Sequence, residues 1–389
     1  MACLTRTLTT STRSLAAARH QKNYSTKATT EKKLYYVSSQ HSLPIVQPES
    51  CYSSKHAHGR AIQLGLSPLL QQPHHIVKIA AGYSHCLALC QLHDGGGEVL
   101  VTMGASDMGQ LGIGLSNTSL SYGAIPISKK TAVKHMACGR LHTIIVGHGE
   151  KKDVLFAFGH NHFGQLGLGH SSLPIRYPTQ IPWSGERIID VQCGLDHTVV
   201  LTESGHVYTA GFGADGQVGA GSSADATSLT RIENLPSAQH ISTSTDTNFA
   251  WNDSSIYTWG NSEYAQQMHG RKIDRVLSPE ECRTISTPRE IASGGTFTLI
   301  TTKQNQLSLC GLSTFNEGLG VGADCLLVPA PTTMQITDTT RIYAATHHAA
   351  VVSDRTMYSL GLGIDKPLHF SDSITQVALG GQFALALTC

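Results

Sequence analysis

The sequence predicts an all-β, seven-bladed β-propeller closed by strands from both chain ends. Three observations carry that expectation. A frame of about 50 residues recurs along the chain. Within each copy the apolar runs are short and rich in β-branched and aromatic residues, as strands are. Glycine, at 38 of 389 residues, exceeds the usual share of about 7%, which points to many tight turns.

The recurrence is plainest in three segments: "IAAGYSHCLALCQLHDGGGEVLVTMGASDMGQLGIG" (79–114), "MACGRLHTIIVGHGEKKDVLFAFGHNHFGQLGLG" (136–169) and "VQCGLDHTVVLTESGHVYTAGFGADGQVGAG" (191–221). Their shared frame is Gly-x-x-His, an apolar run, a polar turn, a second run ending in Gly, and Gly-Gln-(Leu/Val)-Gly-x-Gly. The glycine and histidine of the frame are Gly82 and His85, Gly139 and His142, and Gly194 and His197. Weaker copies place Ser244, Gly294, Ala345 and Gly380 at the same point, with Thr247, Phe297, His348 and Phe383 for the histidine. Seven units result. "HTVVLT" and "HVYTAG" read as strands joined by a hairpin at Glu203-Ser204-Gly205. Small sheets of this kind bury two faces only by stacking around an axis. The last unit stops after one strand pair, so "KKLYYVSS" (32–39) and "HAHGRAIQLG" (56–65) are expected to complete it and remove exposed edges.

The repeat also decides what the glycine- and histidine-rich stretch "FGHNHFGQLGLGH" (158–170) is. Gly159 and Gly164 have phosphate-loop spacing, yet Gln165 stands where such a loop needs lysine. "GFGADG" (211–216) has the letters of a dinucleotide fingerprint without a following helix. His85, His142 and His197 fall one to a blade and are read as neutral imidazoles bonded to neighbouring backbone groups, not as metal ligands. His160 and His162 are read as loop-borne surface residues, with no cysteine or carboxylate at ligand spacing. No metal and no cofactor is expected. Ten scattered cysteines without a CxxC pair are read as reduced core residues. No segment approaches the roughly 18 uncharged apolar residues of a membrane span.

Residues 1–30 differ from the rest. They carry Arg6, Arg13, Arg19, Lys22 and Lys27, are rich in Ser, Thr and Ala, and contain no acid. On a helix Leu4, Leu8 and Leu15 would share one apolar sector. This composition is that of a mitochondrial transit peptide, leaving residues 31–389 as the propeller and the matrix, or the matrix face of the inner membrane, as the destination. Without those five basic residues, 23 basic face 27 acidic ones, a charge of −4 that offers no general affinity for phosphate.

The frame resembles the repeat of the regulator of chromosome condensation family, over about residues 32–389. Trp-Asp propellers fit poorly, because the dipeptide does not occur. The resemblance implies a seven-bladed propeller. In the founding member one face binds a Ran-type small GTPase and promotes nucleotide exchange through acidic and histidine residues on loops, with an inserted wedge. On that resemblance Asp196, in "CGLDHTVVLTESGHVYTAG", stands where the family has an aspartate important for exchange. An aspartate there also serves as a turn acceptor. The segment "SSLPIRYPTQIPW" (171–183), with Ser171, Arg176 and Tyr177, occupies the connection where the wedge would lie. Mitochondrial members are linked to exchange on a dynamin-like GTPase and to ribosome or ribosomal-RNA maturation, and a fungal-type relative to respiratory-complex assembly. The resemblance thus implies protein partners on a propeller face: ribosome-assembly factors or a mitochondrial GTPase. No basic tail suggests DNA, no constellation of paired carboxylates, nucleophile or metal ligands suggests bond chemistry, and a monomer is expected. The expected function is a non-catalytic scaffold, with guanine-nucleotide exchange as the alternative.

Deleting residues 1–30 is expected to leave a folded protein in the cytosol. An import assay with isolated mitochondria checks this, and continued uptake of the truncated chain refutes the transit-peptide reading.

Overall fold

The computed structural model describes residues 32–38, 61–66, 70, 73–93, 95–116, 120–149, 152–271, 273–285, 288–312, 327–336, 339–364 and 366–389. The transit-peptide segment and residues 56–60 of the expected N-terminal strand lie outside them. The described residues form 28 strands in seven four-stranded antiparallel sheets.

Two strands come from the N-terminal side, β1 (Lys33–Val37) and β2 (Ala61–Leu64). Blade 1 is β3 (His74–Ala81), β4 (His85–Leu92), β5 (Glu98–Gly104) and β6 (Ser121–Pro126). Blade 2 is β7 (Ala132–Cys138), β8 (His142–His148), β9 (Asp153–Asn161) and β10 (Ser172–Ile181). Blade 3 comprises β11 (Ile188–Cys193), β12 (His197–Thr202), β13 (Val207–Gly211) and β14 (Ala226–Arg231), and blade 4 comprises β15 (His240–Thr243), β16 (Thr247–Trp251), β17 (Ile256–Asn261) and β18 (Arg275–Cys282). Blade 5 holds β19 (Pro288–Ser293), β20 (Phe297–Thr302), β21 (Leu307–Leu312) and β22 (Leu327–Thr333). Blade 6 holds β23 (Arg341–Ala344), β24 (Ala349–Ser353), β25 (Thr356–Leu360) and the two-residue β26 (Leu368–His369). Blade 7 has the order β2-β1-β28-β27, with β27 (Ile374–Leu379) and β28 (Ala384–Thr388) supplied by the C-terminus.

The first strand of each blade touches its counterparts on either side, and β27 touches β3, so the ring is closed. Closure rests on β1 pairing with β28, from Lys33 opposite Thr388 to Val37 opposite Ala384. The expected strand exchange between the chain ends is therefore found.

Packing follows from the alternation of side chains along a strand. All six residues of β12, "HTVVLT", are buried. Val200 joins the apolar cluster shared with blade 2, while Val199 and Leu201 join the one shared with blade 4. One such cluster fills each of the seven junctions. Fully burying one such aliphatic chain is worth roughly 1.5–3 kcal/mol.

The frame glycines have two distinct causes. Gly211, at the end of β13, takes φ +116°, and a Cβ there would overlap the Asp196 carbonyl oxygen. A Cβ on Gly194 would overlap the His197 ring. The Gly-x-x-His spacing is thus a packing pair: the glycine leaves room for the ring three residues on.

The free thiols Cys86, Cys90, Cys193 and Cys310 are core residues, and burial pushes each up to about 12. At neutral pH they are protonated and unreactive.

Leu34→Asp in the closing strand is expected to cost about 3 kcal/mol or more. It would put an unpaired carboxylate among Leu385, Leu387 and their neighbours, where Leu34 is 1% exposed. Thermal unfolding checks it; an unchanged Tm contradicts the argument that β1 closes the ring.

Candidate partner-binding face

The turns that follow β3, β7, β11, β15, β19, β23 and β27 lie on one face around the axis. An opening of about 290 Å³ there is lined by Gly82, Gly139, Gly194, Ser244, Ala345 and Gly380, the frame positions of six blades. Backbone hydrogen bonds link successive turns: Arg140 N donates to Leu195 O at 3.0 Å, and Leu195 N to Thr245 O at 2.9 Å.

Below the turns the frame histidines bolt each blade to the next. His85 Nε2 lies 2.9 Å from Thr143 Oγ1, His142 Nε2 3.3 Å from Thr198 Oγ1, and His197 Nε2 2.8 Å from Asn248 Oδ1. Each Thr hydroxyl donates its only proton to a glutamine carbonyl, Thr143 to Gln110 O and Thr198 to Gln165 O. The imidazole Nε2–H must therefore be the donor, which fixes the tautomer. Burial drives His85 and His142 down to about 3. The expectation of neutral imidazoles agrees with this, but their partners are side chains of the next blade and not backbone groups. Only an acceptor buried in the adjacent sheet is within reach of Nε2. His348 differs: the residue at the threonine position of the next blade is Ala384, and among the described residues the buried Nε2 of His348 has no hydrogen-bond partner.

Asp196 lies above this layer, between blades 2 and 3. It is 6% exposed. Arg140 Nη2 donates to its Oδ2, and Gln165 Nε2 donates to its Oδ1 at 3.3 Å. Burial disfavours the ion, but the His160 ring, with Nδ1 at 3.7 Å, and the Arg140 charge outweigh burial and hold the carboxyl below its usual range. Neither donor is in its own turn, so the side chain is not a turn acceptor. Gln165 Oε1 accepts the Phe163 N–H at 3.0 Å, so its Nε2 is the atom 2.8 Å from His160 Nδ1. His160 is the penultimate residue of strand β9 and half-buried, correcting its reading as a loop-borne surface residue; His162 is exposed in the turn. Around them Phe163 packs on Phe212 at 4.8 Å and His162 on Phe163 at 5.1 Å. Sequence reasoning missed Arg140, whose link to Asp196 spans 56 residues.

The other three candidates lie elsewhere. Residues 172–181 are not a protruding connection but β10, the outermost strand of blade 2. Its register slips between Ile175 and Thr179, so Arg176 and Tyr177 bulge out exposed. Arg176 O accepts from Gly114 N at 2.9 Å, which packs this bulge on blade 1. Ser171, exposed, precedes the strand. Asp196 thus belongs to the inner junction of blades 2 and 3, and Arg176 and Tyr177 to the outer junction of blades 1 and 2.

Among the described residues no group of three or more His, Cys, Asp or Glu is arranged to hold a metal ion. Ser204, His206 and Glu186 meet on the surface, but Ser204 Oγ at 2.9 Å and Glu186 Oε1 at 3.0 Å both contact Nδ1 of the ring. A proton relay to a nucleophile needs both ring nitrogens.

Comparison with known proteins points to one group. Residues 152–201 and 188–217 match models of the regulator of chromosome condensation (RCC1) repeat. The ultraviolet-B receptor UVR8 of Arabidopsis thaliana is 31% identical over 252 residues, 64% of this chain and 55% of the relative. The human RCC1-like G exchanging factor-like protein is 28% identical over 208 residues, 50% and 44% of the two chains. The match thus spans about half the length of these relatives. In fold, human WBSCR16 superimposes with a TM-score of 0.75 at 22% identity, covering 92% of this chain and 98% of that one. Yeast RCC1 (Prp20), solved with Kap60, gives 0.71 at 19% identity over 92% and 89%.

The buried imidazoles make stability pH-dependent. His85 and His142 near 3, His135 and His348 near 4, and His197, also lowered by burial, stay neutral in the fold but protonate near 6.5 when unfolded. Their contribution is complete above about pH 6.5 and is lost as pH falls toward the folded values, by about 1.4 kcal/mol per pH unit for each fully buried ring and by less for half-buried His135, where solvent screens the effect. Buried acids oppose this: Asp190, raised by burial to about 6, and Asp246 and Glu290, raised in the same direction, bind protons more readily in the fold than in the unfolded chain. The five imidazoles outweigh the three acids, so stability is expected to fall between pH 7 and 5. His85→Phe with Thr143→Ala should reduce that slope by about one proton, read from denaturant unfolding at the two pH values; an unchanged slope rules out the assignment to His85.

Proposed function

Because the chain belongs to the regulator of chromosome condensation repeat family, we propose that it is a non-catalytic interaction scaffold that binds protein partners through the face carrying the Gly-x-x-His turns. The observation that carries this reading is the aromatic and basic strip of Arg140, His162, Phe163 and Phe212. Phe163 and Phe212 remain partly exposed although they pack on each other, and half-exposed aromatic and arginine side chains are the residues that anchor interfaces. They stand on a frame cross-linked from blade to blade, so little freedom is lost when a partner docks. The composition of residues 1–30 supports a place in mitochondria, where ribosome, RNA or respiratory-complex assembly would supply the partners.

A second reading, regulation of nucleotide exchange on a mitochondrial GTPase, is favoured by Asp196. Exchange needs no bond chemistry, only a surface that grips the nucleotide-free GTPase better than the loaded one. The name of the human relative, an RCC1-like G exchanging factor-like protein, points the same way. Asp196 would have to give up Arg140 to engage such a partner, an exchange of ion pairs that a charged GTPase surface could drive.

The scaffold reading expects Asp196→Ala to destabilise the chain by about 1–3 kcal/mol, through loss of the charged hydrogen bonds from Arg140 and Gln165, and to leave nucleotide release unaffected. Release of a labelled guanine nucleotide from candidate mitochondrial GTPases decides between the two. Acceleration by the wild type that Asp196→Ala abolishes, with the fold intact by thermal unfolding, overturns the scaffold in favour of exchange.

A further inference from the structure

Blades 2, 3 and 4 repeat one arrangement at their junctions, and comparing the two copies isolates a carboxylate without a counter-ion. At the junction of blades 2 and 3, Gln165 donates to Asp196, Arg140 pairs with it, and His160 stands beside it. One blade on, Gln217 repeats the role of Gln165. Its Oε1 accepts Asp215 N–H at 2.9 Å and its Nε2 donates to Asp246 Oδ1 at 2.9 Å. Asp246 precedes Thr247 as Asp196 precedes His197.

The basic neighbours are missing from the second copy. The position of Arg140, one residue after the frame glycine, is held by Leu195, and that of His160, one residue after the glycine closing the third strand, by Phe212. The backbone is equivalent at both places, since Arg140 N bonds Leu195 O as Leu195 N bonds Thr245 O. Asp215 takes the place of Phe163 and adds a second carboxylate. Among the described residues no lysine or arginine forms an ion pair with Asp246. Arg275, the basic residue at this loop, donates to Ala214 O at 3.0 Å. Burial first, then the charges of Asp215 and Asp196, raise the Asp246 carboxyl above its usual range, against the opposing effects of Gln217 and His197. The pattern is that of a desolvated anion lacking its cation.

We propose that Asp246, with Asp215 beside it and Leu195 and Phe212 as apolar walls, receives an arginine side chain of a protein partner. A guanidinium suits this site better than an ammonium. Its plane stacks on the partly exposed Phe212 ring, its stem lies along Leu195, and its fork of donors matches a carboxylate. The chain itself builds this contact one blade earlier, with its own Arg140. The inference rests on the reading of this face as partner-binding and names the chemistry of the partner.

The test uses the full chain and two probes, N-acetyl-arginine amide and its neutral citrulline counterpart. Backbone amide resonances of residues 212–217 report binding. The arginine probe is expected to shift them saturably, about tenfold more tightly than the citrulline probe, since about 1.4 kcal/mol separates a charged from a neutral donor here. Asp246→Asn, which keeps the Gln217 bond, should abolish that preference. Leu195→Arg, which supplies an internal guanidinium as Arg140 does, should block the probe and raise the Tm, and the gain should vanish when Asp246→Asn is added. Leu195→Met should bind as the wild type does. Equal affinity for both probes, full binding by Asp246→Asn, or no shift in the wild type together with no stabilisation by Leu195→Arg overturns the proposal. Neither readout involves a GTPase, so this result stands apart from the nucleotide-release assay.

Discussion

A ring of seven sheets holds together only if its last sheet shares strands with its first, and here that constraint falls on the pairing of β1 with β28. Every apolar cluster lies between two blades, so opening the ring at blade 7 would expose both clusters that flank it. The closing strand is therefore more than an edge cover. Tyr36 stacks on Phe383 at 5.6 Å on one side, while Tyr35 meets Phe370 edge-on at 5.1 Å on the other. Leu34 and Tyr36 also join the apolar cluster shared with Ile76 and Cys86 of blade 1, so one five-residue strand joins blade 7 to blades 1 and 6 at once. The half-buried ion pair of Lys33 with Asp372, at 2.8 Å, adds little in comparison, because solvent still screens both charges.

The frame itself was legible because each of its elements has a local cause. The glycine of Gly-x-x-His answers to a ring three residues away, and the glycine ending the third strand answers to its own positive φ. What a repeat does to its neighbour was not legible. His85 and Thr143 are 58 residues apart, and Arg140 and Asp196 are 56. A donor can be recognised within one copy, but its acceptor appears only when the next copy is set beside it. The segment 171–183 misled for a different reason. The resemblance placed a connection there, yet β10 is an outermost strand, and an outermost strand tolerates residues such as Pro174 and Pro178 that cannot donate to a second neighbour.

The weak repeats obey the same rule across junctions although they break it within the copy. Where the frame histidine becomes Phe297 or Phe383, the residue it faces in the next blade is Ala349 or Cys86 instead of threonine. A ring without a donor meets a side chain that needs none. At the junction of blades 4 and 5 Thr298 still donates to Gln266 O at 2.8 Å, although Thr247 replaces the histidine. Degeneration in the sequence is thus matched at these junctions in the structure, His348 opposite Ala384 being the exception, which is why the ring stays regular while its repeats lose their resemblance.

That regularity places the burden of recognition on side chains. Since the turns occupy equivalent backbone positions, two junctions differ in what they bind only through the residues set on them. Asp196 and Asp246 are the same residue type, bonded by the same glutamine, in the same place one blade apart. One has Arg140 and His160 beside it, and the equivalent positions at the other are held by Leu195 and Phe212. The first has its charge satisfied within the chain. The second presents its charge at an apolar rim, where water screens it less and a complementary cation gains most. On the proposed reading, a face built this way would discriminate by charge at one junction and by aromatic contact at the next. Blades 2 to 4 would then hold a partner in a single orientation without any part of the frame having to move.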